Sequence, residues 1–262
     1  MRGRRLKERL DAGEVAYGIV VSWPDSDMVE AAGECGFDLA FVDAEHAALD
    51  IRTCADLVRA ANVSGMSVLI RVPYMDVRGF YNYLDTGADG LIFPHITSAA
   101  AARVATAASL FPPLGSRGAM SSSRAARYGT AYAPADYFQA ANESVWAIPM
   151  IEDVEAVKAC EEILTTPGVR AIFVGPGDLA LSRMGAKAEN LPTVEAMVDQ
   201  VIAAGIRLGK VVATVAPSPK AAAAMVAKGV RILVTGGSGL FTTACREYLQ
   251  AVPRKPAAAT SH

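Results

Sequence analysis

Eight short runs of apolar residues recur along the chain, at 15–21, 39–42, 68–72, 91–93, 145–151, 171–174, 211–215 and 232–234. They are continuous rather than alternating, the pattern of strands covered on both faces. Between them, apolar positions three and four apart predict helices over 27–35, 51–61, 78–86, 99–110, 154–164, 192–208 and 219–227. Regular alternation of strand and helix argues for a parallel sheet, and eight repeats argue for its closure into an α/β fold of the (β/α)8 TIM-barrel type. Gly36, Gly65, Gly87, Gly168, Gly209 and Gly229 stand just before strands, where a helix C-cap requires positive φ.

Closure changes the meaning of the polar residues, because all strand C-termini of such a barrel face one mouth. Asp43, Glu45 and His46 follow the second run, Arg71 ends the third, Glu152 ends the fifth, and Asp178 closely follows the sixth. One interval is irregular: residues 112–129 are too long and polar for a plain turn, and are expected to shape or cover the mouth. The pattern predicts one barrel domain over 1–252 and a flexible Ala/Pro-rich tail over 253–262.

Composition narrows the classes. Of 262 residues, 52% are hydrophobic and 20% charged, enough for a core without staples. A net charge of -2 provides no basic field for nucleic acid or an anionic membrane. Arg2, Arg4, Arg5, Lys7 and Arg9 cluster early, but Glu8, Asp11 and Glu14 follow, predicting a solvated amphipathic helix. With no signal-peptide h-region and no apolar stretch of about 18 residues, a cytoplasmic location is expected. Cys35, Cys54, Cys160 and Cys245 are scattered singly and read as reduced packing residues rather than zinc ligands.

Glu152 and Asp178 carry the chemistry furthest. Two carboxylates brought together at adjacent strand ends repel unless one takes a proton or a cation sits between them. Oxygen ligands without thiolates favour a hard divalent ion such as Mg²⁺ or Mn²⁺, with Co²⁺ sharing such sites. The alternative is a surface ion pair, or for Asp178 a helix cap. Exposed amides near Gly177 and Asp178 in Gly-Pro-Gly-Asp could hold a carboxylate. Arg71 could grip a carboxylate or a developing enolate oxygen, or merely pair with Asp43 or Glu45. His46 is a candidate general base, its ring oriented by Asp85; His95 is open between a functional and a structural role, and Asp43 and Glu45 between orienting neighbours and inter-subunit salt bridges. A Schiff-base aldolase needs a lysine at a strand end, yet Lys158, Lys210, Lys220 and Lys228 fall on helices or strand entrances, and Lys187 lies well past the sixth run.

Taken in order, GIVVSWPDSDMVEAAGECGFDLAFVDAEH, RVP, FPPLGSRG, MIED, FVGPGDLA and VTGGSG resemble the class II pyruvate aldolases of the HpcH/HpaI type, the family of 4-hydroxy-2-oxoheptanedioate and 2-dehydro-3-deoxyglucarate aldolases. The resemblance implies a phosphoenolpyruvate/pyruvate-type barrel, assembled as a trimer or hexamer with its last helix exchanged between neighbours. It implies a metal on Glu152 and Asp178, Arg71 stabilising the pyruvate enolate, and a base dyad of His46 and Asp85. It implies amides around Gly177 and Asp178 on the substrate carboxylate. The reaction implied is reversible cleavage of a 4-hydroxy-2-oxo acid to pyruvate and an aldehyde. Three positions depart from the family pattern: Met150 stands where Gln is typical, His95 where Phe or Met is, and GGSG where an Asp occurs. Two rivals remain open. One is a CoA-thioester lyase, for which Arg117, Arg124 and Arg127 would bind phosphates; the other is a non-catalytic metabolite-binding barrel.

Overall fold

The computed structural model describes residues 3–73, 79–186 and 190–252, the side chains of residues 3–5 excepted. The start of the helix predicted at 78, Lys187 and the tail from 253 lie outside the described residues. Eight parallel strands close a barrel in chain order, the first pairing with the last. They are β1 (Ala16–Val21), β2 (Leu39–Asp43), β3 (Ser67–Arg71), β4 (Gly90–Phe93), β5 (Trp146–Ile151), β6 (Ala171–Val174), β7 (Val211–Val215) and β8 (Ile232–Gly236). Helix α1 (Gly3–Asp11) precedes the barrel, and α2 (Ser26–Glu34), α3 (Ile51–Val63), α4 (Phe80–Asp85) and α5 (Ala99–Ser109) follow β1 to β4. Helix α6 (Pro134–Ser144) comes before β5, and α7 (Val154–Lys158) and α8 (Cys160–Leu164) come after it. Then α9 (Pro176–Gly185) and α10 (Val194–Arg207) follow β6, α11 (Pro219–Ala227) follows β7, and α12 (Gly237–Ala251) follows β8.

Alternation along each strand builds two cores. Leu39 and Phe41 of β2 point into the barrel with Leu69, Ile92, Met150 and Phe173, whereas Ala40, Val42, Ile70 and Leu91 face the helices. Both faces are apolar, hence the unbroken runs in the sequence. Helix starts are fixed locally: Asp25, Asp50, Ser98 and Ser218 accept hydrogen bonds from amides three residues on. The six expected cap glycines all have positive φ.

Several expectations need correction. Segment 154–164 is two short helices meeting at Ala159, and 134–144 is a helix that the periodicity did not reveal. Helix α1 is not wholly solvated; Leu6, 2% exposed, enters the core at the base of the barrel. Cys54 and Cys160 are buried as expected, but Cys35 and Cys245 are exposed, and all four are free. Residues 112–129 lie at the strand-entry end rather than over the mouth. Chain leaving α5 must return to the start of β5, and Ser116 and Arg117 donate backbone hydrogen bonds to Ala107 and Leu110, while Ala125 donates to Asp85 at the end of α4. No helix among the described residues is long and apolar enough to cross a membrane.

Helix α12 stands apart. Only Gly237 of its 15 residues is buried, and Leu240, Phe241, Tyr248 and Leu249 are exposed. Beside it, Gly18, Phe37, Pro217, Ala222, Leu233 and Val234 line an apolar groove between β1, β8 and α11.

Candidate active site

The two-residue period of the strands continues past their ends and selects what faces the mouth. Asp43 follows inward-facing Phe41, Arg71 follows Leu69, Glu152 follows Met150, and Gly175 follows Phe173. The Arg71 guanidinium caps the barrel interior, 5.6 Å above the Phe41 ring. Its Nε and Nη2 donate to Asp43 Oδ1 and Oδ2 at 2.9 and 2.7 Å, a bidentate pair, and Nη1 lies 3.2 Å from Glu45 Oε2. Asp43 Oδ1 also accepts from the amides of Glu45 and His46, both at 3.2 Å, so one carboxylate shapes the turn after β2 and orients the arginine. Burial pushes the Asp43 carboxyl up, but the hydrogen bonds and charge of Arg71, with those amides, hold it below the usual range.

Glu45 sits between Arg71 and two histidines. Its Oε2 is 3.7 Å from His46 Nε2, and its Oε1 is 3.8 Å from His95 Nε2. Burial raises its pKa against the lowering pull of Arg71, His46 and His95. The His46 and His95 rings are exposed to the mouth. His95 adopts φ 53°, directs its amide to Glu152 Oε1 at 2.8 Å, and places Nδ1 3.1 Å from Asp153 Oδ2. Burial lowers its pKa, but Asp153, Glu152 and Glu45 raise it further, so the net shift is upward.

Glu152 is the most enclosed carboxylate of the mouth, 1% exposed. Burial, set against the His95 amide and ring and reinforced by the charges of Asp178 and Glu45, pushes its pKa up to about 7. One oxygen is held by His95; the other, Oε2, is buried without a hydrogen-bond partner. An orphaned carboxylate oxygen beside a second carboxylate is suited to a hard cation. Among the described residues no group of three or more His, Cys, Asp or Glu is placed to hold a metal. Two carboxylates with water completing the shell is an ordinary donor set for Mg²⁺. Asp178 lies in the first turn of α9, three residues past its Gly175 N-cap, and is therefore not the cap itself. The amides of Gly177 and Asp178 belong to the turn that has no intrahelical acceptors.

Asp85 is where sequence and structure part. It ends α4, hence at the strand-entry end of the barrel, and pairs with Arg117 Nη2 at 2.9 Å. Within one chain it does not orient the His46 ring, because strand and helix run antiparallel and put the two residues at opposite ends. Arg124 donates to the Thr86 carbonyl and Asn62, and with Arg117 and Arg127 lines a cavity at that same end. The three arginines considered for CoA phosphates are thus away from the mouth. Sequence reasoning missed the His95 amide and Gly175, where an added Cβ would lie 2.7 Å from Glu152 Oε2; the only signals were the glycine at the start of α9 and an isolated histidine after a strand.

Comparison with known proteins places this arrangement in context. The sequence matches the HpcH/HpaI aldolase/citrate lyase family over residues 17–243. It is 34% identical over 197 residues to 2-dehydro-3,6-dideoxy-6-sulfogluconate aldolase of Pseudomonas putida, covering 74% of this chain and 75% of that one. It is 29% identical over 248 residues to 5-keto-4-deoxy-D-glucarate aldolase of Klebsiella pneumoniae, covering 94% and 96%. A crystal structure of an HpcH/HpaI aldolase/citrate lyase family protein from Burkholderia cenocepacia J2315 superimposes with a TM-score of 0.86 at 34% identity, covering 94% of this chain and 97% of that one. The chain, with its closed barrel and the carboxylates gathered at its mouth, therefore belongs to the HpcH/HpaI aldolase/citrate lyase family.

Proposed function

We infer that the protein is a divalent-metal-dependent class II aldolase, a lyase that cleaves a 4-hydroxy-2-oxo acid reversibly to pyruvate, or a close 2-oxo acid, and an aldehyde. The observation that carries this reading is the buried, partnerless Glu152 Oε2 beside Asp178 at the barrel mouth, within an aldolase family. Glu152 and Asp178 would hold Mg²⁺, Mn²⁺ or Co²⁺, and the bound cation supplies Lewis-acid polarisation of the 2-oxo group.

The chain's own residues account for the remaining steps. Amides of Gly177 and Asp178 take the substrate carboxylate at the start of α9. His46, exposed at the mouth, removes the proton of the 4-hydroxyl. The C3–C4 bond then breaks, its electron pair passing to C3 and delocalising onto the 2-oxo oxygen, while C4 leaves as the aldehyde. Arg71 is fixed by Asp43 and Glu45 before substrate arrives, and stabilises the enolate charge without reorganisation. A proton returned to C3 gives pyruvate.

The reading extends to a homo-oligomer. The exposed apolar face of α12 and the apolar groove by β1 and β8 fit an exchange of that helix between copies. Asp85 could then complete the His46 dyad only as a neighbour's residue, since its own His46 is at the opposite end.

The test is pyruvate C3 proton exchange in D₂O followed by NMR with Mn²⁺ or Mg²⁺. Exchange by the wild type, and its loss together with metal binding in a folded Glu152→Ala variant, is expected. Exchange that persists in metal-free Glu152→Ala protein overturns the assignment. Calorimetry separates the non-catalytic rival, which would bind the acid without metal.

A further inference from the structure

Glu152 is gripped from two sides by features that have no role in the chemistry above. On one side the backbone of His95 turns to φ 53°, a conformation that disfavours side chains, and its N–H donates to Oε1 at 2.8 Å. On the other side Gly175 takes the next inward position just past the end of β6. A Cβ built on it would lie 2.7 Å from Glu152 Oε2 and 2.8 Å from Glu152 Cβ. Real carbon atoms do not approach so closely, and the carboxylate cannot swing aside while Oε1 is tied to His95. The two features act on opposite oxygens of one carboxyl group.

We propose that the His95 amide and the hydrogen atom in place of a side chain at Gly175 form a clamp that sets the orientation of Glu152 as a metal ligand, Oε1 being held by the amide and Oε2 turned toward Gly175, three residues before Asp178. His95 and Gly175 are positioning residues: they act through Glu152. The inference rests on the metal-dependent reading above and adds what sets the ligand's orientation. It also assigns the unusual residue after β4 a use that lies in its backbone, since the ring is largely exposed and occupied with Asp153.

The position of Gly175 supports this over a simple packing requirement. The three atoms nearest a Cβ there are Glu152 Oε2, Glu152 Cβ and, at 3.4 Å, Met150 Cε, and the two closest belong to the carboxylate residue. Met150, the inward residue one step below, is unbranched and buried in the core inside the barrel.

Binding of Mn²⁺ alone, read by electron paramagnetic resonance of the free ion, tests the clamp without turnover. The variants are Gly175→Ala, His95→Val, His95→Gly and Glu152→Gln, each with a melting curve in the absence of metal. His95→Gly keeps an amide able to adopt positive φ and should bind within about threefold of wild type. His95→Val, whose branched side chain opposes that φ, and Gly175→Ala should each weaken binding by about tenfold or more, the range for residues that orient a metal ligand. Either variant suffices should the other fail to melt cooperatively. Near wild-type affinity in both, with Glu152→Gln impaired, overturns the clamp and leaves the metal assignment standing. A tenfold loss in His95→Gly overturns it as well, by transferring the effect to the ring. Wild-type protein that takes up no Mn²⁺, or Glu152→Gln that binds as tightly as wild type, removes the metal reading and the clamp together.

Discussion

Asp43 and Arg71 show how one pairing prepares a site. The guanidinium is largely buried, and two carboxylates compensate its permanent charge. Lysine offers a single point charge and cannot span both partners. Arg71→Lys is therefore expected to keep the fold and lower kcat by about 100-fold, in line with loss of one preorganised oxyanion donor; steady-state cleavage kinetics check this. Asp43→Asn should cost less, about tenfold, because Glu45 still holds one arm of the fork. A larger loss in Asp43→Asn than in Arg71→Lys would place the chemistry on the carboxylate instead.

At the same scale, Glu152 sets a pH dependence. Its folded-state pKa, about 7, lies above its ordinary value of 4.5. A group raised on folding stabilises the protein fully below the unfolded value, and that contribution is lost as pH rises through the folded one. Metal-free protein should accordingly lose stability between about pH 4.5 and 7 relative to Glu152→Gln, by a few kcal/mol at most, since each tenfold change in proton affinity is worth about 1.4 kcal/mol. Metal competes with that proton, so Mn²⁺ affinity should fall about tenfold for each pH step of one below about 7. Paired melting curves and metal titrations from about pH 5 to 8 decide it; parallel curves for wild type and Glu152→Gln would refute the raised pKa.

Among elements, the irregular connection between α5 and β5 carries a burial problem of its own. The Arg117 side chain is 1% exposed and pairs with Asp85, whose burial raises its pKa against the lowering pull of that arginine. Removing one member of an enclosed pair strands the other, at about 3 kcal/mol. Arg117→Ala and Asp85→Asn should each show a loss of that order in urea denaturation, the second because it leaves the guanidinium, 1% exposed, without its carboxylate. If Asp85 also serves a neighbour's His46, Asp85→Asn lowers kcat and shifts the pH profile of kcat, which a purely structural residue would not do. Strand and helix positions here were legible in the sequence because periodicity reflects only local geometry. Segment 134–144 was not, since its apolar positions Tyr137 and Ala141 are few and its packing partners, such as Phe111, come from another element.

For the whole molecule, an apolar helix left uncovered on a single chain needs an explanation in assembly. Tyr248→Glu with Leu249→Glu should reduce the sedimentation coefficient of the purified protein by disrupting α12 exchange, and activity should fall with it if a neighbour contributes to the site. An unchanged sedimentation coefficient would separate α12 from assembly.

The sequence by itself determined the barrel, the order of its strands and which polar residues stand at the strand ends, such as Asp43, Arg71 and Glu152. A continuous apolar run ended by a polar residue tells where the strand stops, and the alternation of side chains along it tells which of them face the mouth. Only the tertiary structure decided the partners. His95 and Glu152 are 57 positions apart, Asp43 and Arg71 28, and Asp85 and Arg117 32. Whether such residues meet depends on strand register and on which end of the barrel each connection occupies. The same distinction moved Asp85 from the base dyad to the strand-entry end and brought a bare glycine against the carboxylate most suited to hold a metal.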